Sequence, residues 1–437
     1  MKINSFFEKN IEKIFLLYVY IQPFIDVITA IMLNVFKIEF TLGVIFRFIF
    51  LMFMIYYLIF VNKNKSKKKS IIYLAIILIY FIFYNINILV TKDINALSFE
   101  FKNLIKTFYF PIVLICIYEL FIENGSKVTT KLLTKLFIIY SSLILIPNIL
   151  NIGFKSYEIT KSGSIGLFYT ANEVGAIISI LLPIFLYQIF NKKNILLNII
   201  IFILLTYLLT SIGTKGPLLS LLIVTIYHMV NYIRKCIKRK LYISLSIFSI
   251  AILVAVTSFI LILPKTNFYK NIKTHLEFLE IKEAKDLLEF KKIDHFIFSE
   301  RLSFWTKTNI IYTNSNISSK LLGIGYIDNY STDEVSMKMI EMDFIDIFYR
   351  HGIIGFIIYF SIPFIYIIKL IKKYISDKKN LDRKIASTYL LSIILSLVLS
   401  LLTGHVITSP SVSIFVALII NLFYNEISKG DNILWQN

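Results

Sequence analysis

The chain has 437 residues, of which 57% are hydrophobic, 16% aromatic and only 17% charged, with a mean hydropathy of +0.75. Soluble domains run roughly 45–50% apolar and about 25% charged, so a set of water-soluble domains is excluded. At ~20 residues per spanning helix there is room for roughly a dozen spans and one modest extramembrane segment, and the expected fold class is an all-α polytopic membrane protein. The 46 Lys and Arg against 27 Asp and Glu give +19, but the basic residues sit in short runs between apolar stretches. That is the pattern of membrane topology, and no nucleic-acid partner is expected.

Apolar runs that predict helices cover about 13–33, 41–61, 70–90, 104–122, 132–152, 170–190, 194–210, 214–231, 241–263, 344–368, 385–403 and 409–426. The first contains Pro23 and Asp26 and does not read as a cleavable signal peptide. The loops between the runs alternate in basic content. One set carries Lys63 to Lys69, Lys192 and Lys193, Arg234 to Lys240 and Lys369 to Lys384, and the other only Lys37, Lys92, Lys102, Lys155, Lys161 and Lys215. The basic set is expected to face the cytoplasm, with both termini inside. The chain then divides into nine spans over 1–263, one long outer loop over 264–343, and three spans with a cytoplasmic tail over 344–437. In the outer loop, Phe268, Ile272, Leu276 and Leu279 recur at helical spacing and predict an amphipathic helix between Phe268 and Lys292. Cys116 and Cys236 lie far apart and form neither a disulfide framework nor a metal spacing. No cofactor and no metal are expected.

Ionisable residues inside a membrane are costly and face a partner or a wet cavity. Asp26 and Arg47 fall at matching depth in the first two spans. They read either as an ion pair locking two helices or with Arg47 lining a substrate cavity. Gly163 to Asn172 lead into the sixth span, with Asn172 as a helix cap or as part of an anion- or sugar-binding helix start. Lys215, between Gly213 and Gly216, is the basic residue of an otherwise neutral outer turn; it is either solvated or set against an anionic lipid headgroup. Arg301 belongs to the stretch from Ser299 to Trp305, which has helical character. Its guanidinium suits phosphate oxygens, with a salt bridge to Glu300 or a neighbouring acid as the plain alternative. Asp343, Asp346 and Arg350 fall on one face of the tenth span after Glu341. They read as a solvated helix start or as the lining of a polar cavity, and His405 in the last outer loop either faces the same cavity or is an ordinary surface histidine.

The succession of these segments resembles the superfamily of O-antigen ligases and O-antigen polymerases of the bacterial envelope. Gln22 to Asp26, Gly166 to Phe168 with Asn172, Gly213 to Gly216, Arg301 to Trp305, Leu322 to Gly325 and Gly352 to Gly355 carry it in order along the chain. Glu341 and Met342 stand where ligases of that family carry a His-Asn pair, which tilts the expectation toward a polymerase. The resemblance implies an inverting, metal-independent glycosyltransferase in the bacterial cytoplasmic membrane. Its donor would be a polyprenyl-diphosphate-linked oligosaccharide and its acceptor a glycan, with the bilayer as its setting. Arg301, Lys215, Glu341 and Asp343 are then the candidate catalytic residues, and Asn172, Arg47, Asp346, Arg350 and His405 the candidate substrate-binding ones. The rival class is a transporter or flippase of sugars or lipid-linked saccharides. Against it stands the single large polar loop, which has no counterpart in the first half, whereas repeat-built transporters show symmetry.

Overall fold

A computed structural model describes residues 2–435 apart from 39–40, 93, 125, 127, 157–162, 191–194, most of 244–262, a few positions within 282–288, 330–334, 337–338, 377–382 and 429–433. Helices α1 (Lys2–Asn34), α2 (Leu42–Tyr56, extended by a π-turn to Val61), α3 (Lys67–Thr91), α4 (Leu97–Asn124), α5 (Thr130–Ile149), α6 (Ala171–Phe190), α7 (Ile195–Ile212) and α8 (Lys215–Lys238) come first. After them come α9 (Asn267–Phe278), α10 (Arg301–Asn314), α11 (Ile317–Leu322), α12 (Asp343–Ser376), α13 (Arg383–Leu402) and α14 (Pro410–Ser428). Strand is confined to two small antiparallel pairs, β1 (Phe154–Lys155) with β2 (Ser164–Gly166) and β3 (Ile327–Asn329) with β4 (Val335–Ser336). The protein is an all-α polytopic membrane protein. With no water to satisfy the backbone, helices that close their own hydrogen bonds are the form such apolar segments must take.

Ten of the described helices are long and apolar enough to cross a membrane. The expected seventh span is α7, whose Ile200–Ile212 part is apolar but shorter than a full crossing. The expected ninth, 241–263, falls largely outside the described residues. α12 runs on to Ser376 and is bent at Gly352, whose φ of 66° and ψ of −174° interrupt the helical geometry. Leu321 packs against the Gly352 Cα so closely that a side chain would not fit there. The predicted amphipathic helix of the outer loop is also shorter than its periodicity suggested. α9 ends at Phe278, because Glu280 takes a left-handed φ of 52° and turns the chain.

α4 and α14 form the centre. α4 packs against α14, α3, α12 and α2, and from Phe108 to Phe121 every residue of it is buried. Outer helices keep the apolar, lipid-facing surface, as at Leu78 and Ile82 on α3. The chain direction alternates so that the starts of α4, α6, α8, α12 and α14 share one end of the bundle with α9 to α11, here termed the loop face. Contacts with the bundle hold the long polar segment before α12 onto that face.

Candidate functional site

Chain reversals on the loop face hold the site together. Ser299 and Glu300 both adopt left-handed backbone, with φ of 54° and 68°, a conformation costly for residues with a Cβ. The reversal aims Asp294 at the start of α10, where it accepts from the Leu302 and Ser303 amides at 2.9 Å each and from the Ser303 hydroxyl. A carboxylate on a helix N-terminus is favoured by both the free N–H groups and the dipole. This fixes Arg301 at the helix entrance, 8% exposed.

Arg301 does not pair with Glu300, which turns to His295 at 2.9 Å. Its Nη1 donates to the Phe298 carbonyl at 3.2 Å. Its Nη2 donates to Glu341 at 2.8 Å and to the Thr403 carbonyl at 3.3 Å. Nε is buried without a hydrogen-bond partner among the described residues. Lys215 is the first residue of α8 rather than part of a free turn. Its ammonium donates to the Phe296 carbonyl and lies 4.8 Å from the centroid of that ring. Lys215 and Arg301 therefore grip carbonyls two residues apart on one turn. Behind them Asn271 of α9 donates to the Gly213 carbonyl at 3.2 Å, and His275 stacks on His295 with ring centroids 5.3 Å apart.

Glu341 joins this pair to the last loop. Gly404, at a φ of 64°, presses its Cα against the Glu341 backbone where no side chain fits. Its neighbour His405 is thereby placed with Nε2 4.0 Å from Glu341 Oε1, an ion-pair contact too long for a hydrogen bond. Burial alone would push the Glu341 carboxyl up, but His405 and then the Arg301 guanidinium outweigh it and hold it below the usual carboxylate range. Burial works against charge on His405. The contact with Glu341 and the nearby Asp343 and Glu173 carboxylates overcome burial and the opposing Lys106 charge, and raise it above the ordinary imidazole value.

Several candidates serve to close the fold. The Asp343 carboxylate is 2% exposed. It accepts from the amides of His405, Val406 and Ile407 at 2.8–2.9 Å and from the Thr408 hydroxyl at 2.7 Å. Its acceptor positions are filled, and it shapes the loop that carries His405. Asp346 accepts from the Ile340 and Glu341 amides at 3.0 and 2.8 Å. Arg350 donates to the Gly325 carbonyl at 3.0 Å, lies 3.9 Å from Asp346 and faces the Tyr326 ring. The polar cavity expected around Asp346 and Arg350 is closed by the Gly323–Tyr326 turn, which leaves Arg350 0% and Asp346 2% exposed. Asn172 is the second residue of α6, not its cap. Thr170 precedes the helix, and its buried hydroxyl has no hydrogen-bond partner among the described residues. Arg47 and Asp26 form an ion pair, with Tyr140 donating to the second Asp26 oxygen at 2.7 Å.

Two participants went unnoticed in the sequence. Glu173, next to Asn172, accepts from Ser409 at 2.5 Å and lies within electrostatic reach of Lys106, His405 and Arg47. Lys106 sits inside the fourth apolar run, and a charge there was the available signal. Charges of alternating sign thus run from Lys215 and Arg301 through Glu341, His405 and Glu173 to Lys106 and the Arg47–Asp26 pair.

Fold and site together define a multi-pass helical membrane protein with a cation-rich polar centre at one end of its bundle. The family profile described as "O-antigen ligase like membrane protein" matches residues 8–296 and 282–429, and the chain belongs to that family. Among curated proteins and solved structures, none matches it.

Proposed function

We propose that the protein is a glycosyltransferase of bacterial surface-polysaccharide assembly. It would move a saccharide from a polyprenyl-diphosphate donor to a glycan acceptor on the outer side of the cytoplasmic membrane, the side on which we place the loop face. The observation that carries this reading is the convergence of Lys215 and Arg301 on the Phe296–Phe298 turn beside Glu341. In the reaction, the acceptor hydroxyl oxygen attacks the anomeric carbon as the bond from that carbon to the diphosphate oxygen breaks, inverting the centre. The hydroxyl proton passes to the Glu341 carboxylate, which is partly open to solvent, with a side chain 34% exposed. Charge gathering on the departing diphosphate is met by the positive charges of Arg301 and Lys215. Asp343 acts through the loop it shapes, as a positioning residue.

The test is genetic and chemical. Deletion of the gene should change the pool of lipid-linked saccharides: accumulated single repeats identify a polymerase, accumulated long chains a ligase. Restoring the gene with Arg301→Ala or Lys215→Ala should leave that accumulation in place at normal protein levels. An unchanged pool after deletion, or sugar uptake by vesicles without any glycan product, contradicts the proposal.

A further inference from the structure

Trp305 is held in an unusual way. It lies on α10 one turn past Arg301 and is 40% exposed, yet its indole N–H turns inward and donates to the Tyr349 hydroxyl of α12 at 2.9 Å. That hydroxyl donates in turn to Asn309 Oδ1 at 3.0 Å. With its oxygen taken, the exposed Asn309 keeps its amino group as a donor, one further turn along the helix. A half-exposed tryptophan at a membrane surface ordinarily spends its N–H on water or headgroups. Here that atom is spent inside, so the ring shows only carbon outward. Apart from Ile310, its exposed neighbours on α10 are polar: Thr306, Lys307, Asn309, Thr313 and Asn314. Such a setting is foreign to a lipid-facing stripe.

The packing that fixes this ring also seats Glu341. Ile340 and Met342, which flank Glu341, join Ile324 and Tyr349 in a small core covered by Phe304, Ile311 and Tyr312 of α10. Tyr312 meets the Tyr349 ring edge-on, with centroids 5.1 Å apart. Two ties therefore join α10 to the segment from Glu341 to Tyr349: Arg301 to Glu341 at 2.8 Å, and Trp305 to Tyr349 one turn on.

We infer that Trp305 and Asn309 form the subsite for the acceptor sugar, with the C–H face of a pyranose ring on the indole and a sugar hydroxyl accepting from the Asn309 amino group. The hydrogens on that face of a sugar carry partial positive charge and are drawn to the electron-rich face of an aromatic ring. An amide beside it fixes the orientation. The inference rests on the transferase reading above and adds the side from which the attacking hydroxyl comes. Trp305 leans on the helix that starts beside Glu341, whereas Lys215 reaches the Phe296–Phe298 turn from α8. In a polymerase the acceptor is the non-reducing end of another repeat of the same glycan.

The chain has two tryptophans, so Trp435→Phe leaves Trp305 as the sole indole reporter. The probe is an oligosaccharide repeat, free of lipid and phosphate, released by partial acid hydrolysis from the surface polysaccharide whose synthesis depends on the gene. Added to the full chain in nanodiscs, it should shield Trp305 fluorescence from acrylamide. By calorimetry, Trp305→Ala should weaken its binding about tenfold and Trp305→Phe about threefold, and Asn309→Ala about fivefold. Lys215→Ala, which abolishes transfer under the proposed function, should bind it as wild type does. Borohydride opens the ring at the reducing end, the sugar a donor presents, and should leave binding intact. Absence of shielding overturns the inference even where Trp305→Ala fails to fold. Unchanged affinity in Trp305→Ala, or binding lost on borohydride treatment, overturns it too. A wild-type protein that binds the oligosaccharide but transfers no glycan contradicts the proposed function instead.

Discussion

The two ends of the bundle treat their buried charges differently. At the end opposite the loop face, Glu119 is 0% exposed and saturated. Ser70 and Ser66 donate to it at 2.6 and 2.8 Å, and the Trp435 indole at 3.3 Å. Around it Lys69 and Lys369 donate to the Trp435 and Leu434 carbonyls, so cations and acid alike are spent on clasping the tail segment to α3, α4 and α12. On the loop face Asp343 and Asp346 are spent in the same way, but the cations exceed what the fold consumes. Arg301 keeps an Nε without a hydrogen-bond partner among the described residues, and Lys106 is exposed. Saturated polar groups hold a structure in one shape, and unsaturated ones of a single sign are what an anion requires.

That contrast can be broken by mutation. The largest effect is expected for Arg301→Ala and Lys215→Ala, which should each lower glycan transfer by about a hundredfold or more, with Arg301→Ala also lowering stability by about 1–3 kcal/mol through the loss of its three hydrogen bonds. Asp343→Ala should do the reverse of a purely catalytic change. Three amides and a hydroxyl lose their acceptor, at a cost of about 3 kcal/mol or more, read as an early unfolding transition that accompanies any loss of transfer. At the other end, Ser66→Ala combined with Ser70→Ala should lower stability by about 1–2 kcal/mol and leave transfer untouched in assays below the melting temperature. The smallest effect is a pH dependence. His405 is raised, so the stability of its pair with Glu341 is full below the unfolded value of about 6.5 and fades as pH rises through the folded one. Glu341 is lowered, so the same pair is full above about 4.3 and fades as pH falls through the depressed value. Melting curves should show a shallow optimum between these limits, worth no more than about 1 kcal/mol, and His405→Gln should flatten its alkaline side.

The spans were legible because membrane burial writes itself into composition: runs such as Leu42–Val61 leave no other reading. Helix ends were less so, since the bend at Gly352 and the stop after Phe278 depend on one left-handed residue each, set by packing that periodicity does not record. Within the site, Lys215 and Arg301 stood out as cations among glycines and aromatics. Their meeting was hidden, because the turn they share belongs to neither segment's pattern. Asp346 and Arg350 pointed to a cavity by their helical face, but which face is wet depends on where the Gly323–Tyr326 turn docks. Lys106 was absorbed into an apolar run, though its charge alone marked it.

The most direct test of the account compares the affinity of polyprenyl diphosphate with that of polyprenyl monophosphate for wild-type protein and for the Lys215→Ala, Arg301→Ala double variant in nanodiscs. The account predicts a clear wild-type preference for the diphosphate that disappears in the variant. A preference that survives the loss of both cations contradicts it.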